Sequence, residues 1–308
     1  MQIELPEFKF RRKHTKDVFY KYVSINTLKL ILEKETLRHS SPLLFNDPFD
    51  CQAGLHCDFD VDNFIKLFFK RVEQLVISEK VPVFADFNRY SQTTMLMRKA
   101  LPTHGFPKDR VIRDMGPIIR AIADMLFETR QAALENWKAT VRDMRVLCLS
   151  EQFDNIMMWS HYADNHQGAV IELKVAENEH EDDTLWIAQP VKYIKDSIPL
   201  FGIDVIDGIL GITEFPQYPG IDIYAYAKYD IWEHEKEWRV FTLSKENELY
   251  KDYSFKLNKI SKVIFGCRCN DENILCISKL IDVKKLDTEF IRAKKHEYDY
   301  RLEFEKIP

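Results

Sequence analysis

Three glutamates and an arginine stand at alternate positions in the segment WEHEKEWR. Successive side chains of a β-strand point to opposite faces, so these four would share one face of a strand. A solvated strand edge accounts for such a row without any function, since neighbouring carboxylates repel each other. On a face that lines a cleft, the same repulsion raises their proton affinity and suits them to act as a base or to stabilise positive charge. The four residues are Glu233, Glu235, Glu237 and Arg239.

The second candidate is the aromatic-rich stretch IMMWSHYADNHQG at residues 156–168. Asp154 is the predicted N-cap of a helix that begins at Asn155, and Trp159 and Tyr162 then lie one turn apart on one side. Aromatic residues at this spacing belong more often to a core than to a ligand pocket. The alternative is a pocket wall against which the flat rings of a ligand would lie.

His161 lies between those two aromatic residues in the chain. A lone histidine beside a buried face is usually structural, and Asn165, four residues later, could hydrogen-bond to it. The sequence offers His161 no metal partner, and the six cysteines lack the two paired clips of a structural zinc site. We therefore predict no metal site and reduced cysteine thiols.

Hydrophobic periodicity predicts the elements that must position these residues. Residues 17–23 form a predicted strand, and a predicted helix capped by Ser24 follows. Helical periodicity marks a block from about residue 60 to 145, with Pro117 at a start or a kink. One further helix is predicted at 271–281. The later predicted strands are 145–150, 168–173, 190–194, 237–243, 253–257, 262–266, 288–294 and 297–305.

This order of elements predicts the fold class. Strands without regularly intervening helices, together with one helical block, favour an α+β fold over a doubly wound one. The sheet is predicted to be antiparallel or mixed. Because the chain contains no repeats, low-complexity tracts or flexible linker, we predict a single domain over residues 1–308 with a helical insertion at about 60–145.

The composition of the 308-residue chain excludes several classes of protein. A formal net charge of −5 argues against a protein that coats nucleic acid by bulk positive charge. No apolar run approaches the roughly 20 residues that a membrane-spanning helix requires, and the N-terminus has no apolar signal segment. We therefore expect a cytoplasmic protein with no membrane partner.

Four segments in combination resemble a widespread bacterial family of unknown function. They are FYKYVSINTLKLILEKETLRHSSPLLFNDPFD, LCLSEQFDNIMMWSHYADNHQG, WEHEKEWR and VIFGC. Members of that family share an opening YHYTS and FNDP pattern, then CLS and MWSHYA, then EKEWR. The pattern in turn is similar to the ADP-ribosyltransferase superfamily, whose split sheet binds NAD through three short signatures. The resemblance therefore implies an ADP-ribosyltransferase-like fold and NAD as the donor substrate.

The first of these signatures falls on Tyr20-Lys21-Tyr22. Such enzymes usually carry a histidine there that hydrogen-bonds the adenosine ribose, and Lys21 takes its place in this chain. A lysine can still donate, but it brings a full charge and no ring. By the same resemblance Tyr22 is a cofactor-binding candidate, and Ser24 is a secondary donor, with helix capping as the alternative for Ser24.

The second signature implies that the aromatic helix is a pocket wall. Ser150 would lie at the end of a strand before it, and Tyr162 would stack on the nicotinamide ring. Trp159 and His161 are the other cofactor-binding candidates on this helix.

The third signature, an E-x-E sequence, falls on Glu235 and Glu237. By resemblance Glu237 is the catalytic carboxylate, Glu235 orients the target, and Arg239 holds either a glutamate or an NAD phosphate. Cleavage of the nicotinamide–ribose bond leaves positive charge on the ribose, and a fixed anion lowers the energy of that state most when water is excluded.

The resemblance implies transfer of ADP-ribose to a protein or nucleic acid by a bacterial toxin or phage-defence enzyme. The helical block would be a recognition surface, and an antitoxin is an expected partner. The alternatives are an NAD glycohydrolase and a non-catalytic NAD- or nucleotide-binding module, which the departure at Lys21 favours. A Mg²⁺-dependent nuclease built on Asp47, Asp50 and the glutamate row is an unrelated alternative.

Overall fold

The computed structural model describes residues 12–177, 183–216 and 221–307. The first eleven residues, which bear on the predicted absence of a signal segment, lie outside the described part. The chain divides into two compact units, and the prediction of a single domain stays a prediction. The first unit comprises residues 1–52, 140–195 and 226–308, and the second comprises residues 53–139 and 196–225.

The helices and strands are numbered in chain order. The helices are α1 (Ile25–Lys34), α2 (Val61–Ile77), α3 (Arg89–His104), α4 (Lys108–Asp143), α5 (Ile156–Tyr162), α6 (Val205–Ile209), α7 (Ile221–Ala225) and α8 (Asp271–Val283). The strands are β1 (Val18–Val23), β2 (Thr36–Ser40), β3 (Met144–Ser150), β4 (Ala169–Lys174), β5 (Gln189–Pro190), β6 (Lys192–Ile194), β7 (Ala227–Tyr229), β8 (Glu237–Leu243), β9 (Tyr250–Ser254), β10 (Ile260–Phe265), β11 (Glu289–Lys295) and β12 (Leu302–Lys306).

A ten-stranded sheet dominates the described residues of the first unit. Its main order is β12-β11-β10-β4-β1-β3-β2-β9, with β8 along β3 and β5 along β8. Strands β10 and β11 run parallel, whereas the other neighbours run antiparallel. The predicted α+β class with a mixed sheet is thereby confirmed.

Strand β3 is where the sheet divides. One edge of β3 pairs with β8 along its whole length. On the other edge, within the described residues, β1 is paired only at Tyr20 and Ser150, and β2 only at Ser40 and Val146. The two strands therefore meet β3 at separate positions, Ser150 and Val146, and leave a gap between them. The Lys21 side chain reaches this gap, where its Nζ donates a hydrogen bond to the Cys148 carbonyl oxygen over 3.2 Å.

Helix α1 confirms the predicted strand–helix opening of the chain. The Ser24 hydroxyl accepts a hydrogen bond from the Thr27 amide, so Ser24 is the N-cap that the sequence indicates. The buried positions of α1 repeat at helical spacing, as expected for a helix that packs one face on a sheet. They are Ile25, Leu28, Ile31 and Leu32.

The two faces of the sheet have separate cores. Helices α1 and α8 share one hydrophobic cluster with Phe19 and Val23 of β1. Helix α5 shares another cluster with Tyr22, so it packs on the opposite face. Because side chains alternate along β1, Lys21 starts on the α1 side while Tyr20 starts on the α5 side.

The second unit contains helices α2, α3, α6 and α7 and most of α4. Its core joins the apolar face of α2 to buried residues of α4 and to Phe201. The predicted helical block at about 60–145 contains α2, α3 and α4, and α4 runs through Pro117 instead of starting there. Helix α3 follows Asn88, whose side chain caps it by accepting hydrogen bonds from two backbone amides. None of the helices in the described ranges has the length and apolar character that crossing a membrane requires.

Several predicted boundaries are wrong, and the strand predicted at 190–194 is two strands, β5 and β6, in different sheets. Helix α5 starts at Ile156 with Asn155 as its cap, not at Asn155 with Asp154 as cap, because the Asn155 side chain accepts from the Met157 and Met158 amides. The strand predicted at 253–257 runs from Tyr250 to Ser254. The last strand begins only at Leu302, because residues 297–300 form bends.

Candidate functional site

The glutamate row does not lie on one strand, so that prediction is wrong. A 3₁₀ helix covers Asp230–Glu235, and β8 begins at Glu237. Lys236 between them adopts a left-handed backbone with φ of 43°, which ends the 3₁₀ helix and turns the chain into the strand. This turn still lets both glutamate side chains reach one common partner.

That common partner is Lys228 on β7. Its Nζ lies 3.0 Å from Oε2 of Glu237 and 3.4 Å from Oδ2 of Asp50, and it makes a shorter contact with Oε2 of Glu235. Only 5% of the Lys228 side chain is exposed. The ammonium group is therefore held among three carboxylates away from bulk water.

Arg239 on β8 adds a second buried cation to the cluster. Its Nε and Nη2 donate to the two carboxylate oxygens of Glu237 at 2.7 and 2.9 Å, and Nη2 also donates to Oδ2 of Asp50 at 2.6 Å. Nη1 donates to the sulfur of Cys51 over 3.1 Å. The guanidinium is completely buried, and its fork holds Glu237 in one orientation.

The two glutamates differ in their proton affinities. Burial raises the pKa of Glu237, but Arg239 and Lys228 outweigh it and lower this pKa to about 2. For Glu235, burial and the charge of Glu237 outweigh Lys228, so its pKa is raised. Glu237 is thus a permanent anion near neutral pH, whereas Glu235 can exchange a proton more readily.

Tyr162 is the aromatic residue of α5 that reaches this cluster. Its hydroxyl donates to Oε1 of Glu235 at 2.6 Å and accepts from Nδ2 of Asn46 at 3.3 Å. Burial and the neighbouring Glu235 charge raise the pKa of the phenol, so Tyr162 stays a hydrogen-bond donor. The structure thus brings Tyr162 and Glu235, two of the predicted catalytic residues, into direct contact.

Trp159 and His161 lie on other sides of the same helix. The Trp159 ring is completely buried, packs edge-on against Tyr22 at 5.6 Å, and donates from Nε1 to the Phe153 carbonyl at 2.7 Å. Trp159 is therefore a core residue. His161 is exposed, with its ring edge-on to Tyr162 at 6.2 Å.

Ser150 holds the backbone of the acidic segment. Its hydroxyl donates to the Glu235 carbonyl at 2.7 Å and accepts from the Gln152 amide at 3.1 Å. The Tyr22 hydroxyl donates to the Gln152 carbonyl at 3.0 Å from the other side. Ser24 is the cap of α1, in agreement with the alternative that the sequence left open.

A cleft opens beside these groups on the α5 side of the gap in the sheet. It contains about 570 Å³ of empty space, part of it open to solvent. Aromatic rings, amines and carboxylates all contribute to its walls. The side chains discussed above that line it are Tyr20, Lys21, Tyr22, Asn46, Asp50, Ser150, Tyr162, Lys228, Glu235 and Glu237.

Sequence reasoning missed Lys228 altogether and named Asp50 only as a metal ligand. Nothing in the local sequence around Lys228 distinguishes it from a solvated lysine, because its partners come from other parts of the chain. Asp47, the other proposed metal ligand, accepts from the Phe49 amide at 2.9 Å and so stabilises a turn. In the described part of the chain, no group of three or more His, Cys, Asp or Glu side chains is arranged to hold a metal ion.

No curated protein and no solved structure matches this chain. A family model does match part of it, and the matched segment contains Tyr162, Lys228, Glu235 and Glu237, whereas Asp50 precedes it. The finding agrees with the predicted resemblance to a family of unknown function. Residues 158–240 match the family described as protein of unknown function DUF2971.

Proposed function

We propose that the cleft binds NAD and cleaves its nicotinamide–ribose bond, with transfer of ADP-ribose to a macromolecule, as in ADP-ribosyltransferases. The observation that carries this proposal is the state of Glu237. It lines the cleft, and although burial raises its pKa, Arg239 and Lys228 lower that pKa to about 2. Cleavage of this bond leaves positive charge on the ribose, which a preorganised carboxylate stabilises better than mobile water does.

The net charge of the cluster has the sign that this chemistry needs. Counted as ionised, the three carboxylates of Asp50, Glu235 and Glu237 face the two cations Lys228 and Arg239, which leaves one negative charge in excess. The cations fix the carboxylates without neutralising the whole group. A positive charge that develops in the cleft therefore meets an attractive field.

Glu235 suits a second role, as the base that accepts a proton from the attacking group. Its pKa is raised and so lies closer to neutral pH than that of an ordinary glutamate. Tyr162 donates a hydrogen bond to its Oε1. Lys228 holds the other oxygen, Oε2. The side chain is thus oriented by two donors while it lines the cleft.

The residues present fit NAD as a ligand. The rings of Tyr20, Phe45 and Tyr162 line the cleft and offer faces against which flat heterocycles can stack. Lys21 provides an amine for a ribose hydroxyl or a phosphate at the position where the superfamily usually has histidine. The division of the sheet at β3 also supports the likeness to a split-sheet NAD enzyme.

The cellular role is proposed from the sequence resemblance alone. We infer a cytoplasmic bacterial enzyme that modifies a protein or nucleic acid as a toxin or in defence against phage, with an antitoxin as a partner. Hydrolysis, in which water replaces the macromolecular acceptor, is the alternative that shares the same first bond cleavage.

The test uses NAD labelled in its adenylate part, incubated with the full-length protein and cell extract. Nicotinamide release and label on macromolecules are measured for the wild type and for Glu237→Gln. We expect the substitution to lower nicotinamide release by about 10²–10³, the usual effect of removing an electrostatic stabiliser. Glu233→Gln is the matched control, because Glu233 lies in the same segment with its side chain 60% exposed.

The products separate the alternatives. Labelled macromolecules support transfer, and free ADP-ribose without labelled macromolecules supports an NAD glycohydrolase. NAD binding without nicotinamide release supports the non-catalytic module. Equal nicotinamide release by the wild type and Glu237→Gln contradicts the role proposed for Glu237.

A further inference from the structure

A second cavity lies on the α1 side of the sheet. It has about 520 Å³ of empty space, and its walls come from α1, β1, β2 and β9. Lys21, Lys34 and Arg38 line it, as do the hydroxyl-bearing Thr27 and Thr36. Several separate elements therefore contribute hydrogen-bond donors to one concave space.

The charge of this cavity is opposite to that of the whole chain. Lys34 and Arg38 line it against one carboxylate, that of Asp252, which leaves an excess of one positive charge, and Lys21 adds an amine whose pKa is lowered by burial. The chain as a whole has a formal net charge of −5. The concentration of cations here is thus a local property, and it favours an anionic ligand.

Arg38 is held in a fixed orientation at the wall. Its Nε and Nη2 donate to the two oxygens of Asp252 at 2.8 and 3.0 Å, because Arg38 and Asp252 stand opposite each other on β2 and β9. Its guanidinium also stacks over the Tyr250 ring at 3.8 Å. The energetic cost of ordering this long side chain is therefore met before any ligand binds.

Lys21 lines both cavities. It starts on the α1 side of β1 and reaches the Cys148 carbonyl at the gap in the sheet. The second cavity therefore adjoins the proposed NAD cleft at this one side chain, whereas Lys34 and Arg38 line only the second cavity.

We propose that this second cavity is a binding site for the phosphate group of a small molecule. The Lys34 ammonium and the Arg38 guanidinium offer charge-assisted donors to phosphate oxygens, and Lys21, Thr27 and Thr36 add further donors. The site does not depend on NAD cleavage in the neighbouring cleft.

The experiment measures binding of inorganic pyrophosphate and of ADP to the full-length protein by isothermal titration calorimetry at low and high salt. Lys34→Gln and Arg38→Gln should each weaken binding roughly tenfold or more, the effect of losing one charge-assisted contact. Lys29→Gln is the matched control, since Lys29 is on the same helix but does not line the cavity. Rising salt should weaken binding by the wild type.

Lys34 is exposed at the end of α1, so Lys34→Gln preserves the fold even if Arg38→Gln disturbs the pairing of β2 with β9. Absence of pyrophosphate and ADP binding by the wild type would overturn the site, and so would equal weakening by Lys34→Gln and Lys29→Gln. Nicotinamide release from NAD should persist in Lys34→Gln. Failure of the phosphate site thus leaves the proposed activity of the first cleft standing, and failure of that activity leaves the phosphate site standing.

Discussion

The Tyr162 hydroxyl donates a hydrogen bond of 2.6 Å to Oε1 of Glu235 and joins the aromatic helix to the acidic segment. Lys228 holds the other oxygen of the same carboxylate and also contacts Glu237. A series of direct contacts therefore connects Tyr162, in the middle of the sequence, to Glu237 in its later third. Both of these residues line the same cleft.

Tyr162→Phe is expected to change the pH dependence of nicotinamide release. The phenol stabilises the ionised form of Glu235, so its loss should raise the pKa of Glu235 further and move the acidic limb of the rate profile to higher pH. At neutral pH the rate should fall roughly tenfold, about the effect of one hydrogen bond to a charged group. An unchanged acidic limb of the rate profile would contradict the proposal that Glu235 acts as the base.

Lys228→Met is expected to destabilise the first unit at neutral pH. Removal of one partner from a buried ion cluster leaves uncompensated carboxylates and costs about 3–5 kcal/mol. The measurement is the free energy of unfolding by urea as a function of pH.

The difference in unfolding free energy between the wild type and Lys228→Met should change with pH in a definite direction. Burial raises the pKa of Glu237, but Arg239 and Lys228 depress it to about 2, so its stabilising contribution is complete above the pKa of the unfolded chain and is lost as pH falls towards 2. The difference in unfolding free energy between the wild type and Lys228→Met should therefore be largest above about pH 5 and decrease on acidification. A difference that increases on acidification would contradict the proposed role of Lys228.

Trp159→Ala and Tyr162→Ala should separate a core position from a cleft position on one helix. The Trp159 ring is completely buried, so its truncation should cost about 3–5 kcal/mol of unfolding free energy. Tyr162 borders the cleft, and its truncation should cost less stability while lowering nicotinamide release. Thermal unfolding and the NAD assay together check this expectation, and equal stability losses in the two variants would contradict it.

Ser24→Ala tests the two interpretations of Ser24 that the sequence allowed. As the cap of α1, Ser24 should contribute about 0.5–2 kcal/mol to stability. NAD binding should be unchanged at temperatures well below unfolding. Weaker NAD binding with unaltered stability would favour the ligand contact instead.

Local sequence patterns determined most of the elements that carry the site. The Ser24 cap, the apolar spacing in α1 and the period of α2 predicted those helices because a helix depends on residues three and four positions apart. The strand preceding Ser24 and the one ending at Ser150 were predicted for the corresponding reason, from local alternation and composition. The importance of Glu235, Glu237 and Tyr162 was a prediction from resemblance.

Tertiary structure alone decided which side chains meet. Arg239 and Asp50 are 189 positions apart and share an ion pair, and no local pattern encodes such a contact. Folding also put Trp159 in the core and Tyr162 at the cleft, although both stand on one short helix. The reason is physical: periodicity specifies which face of an element is apolar, whereas the partner of a buried charge depends on how distant elements pack.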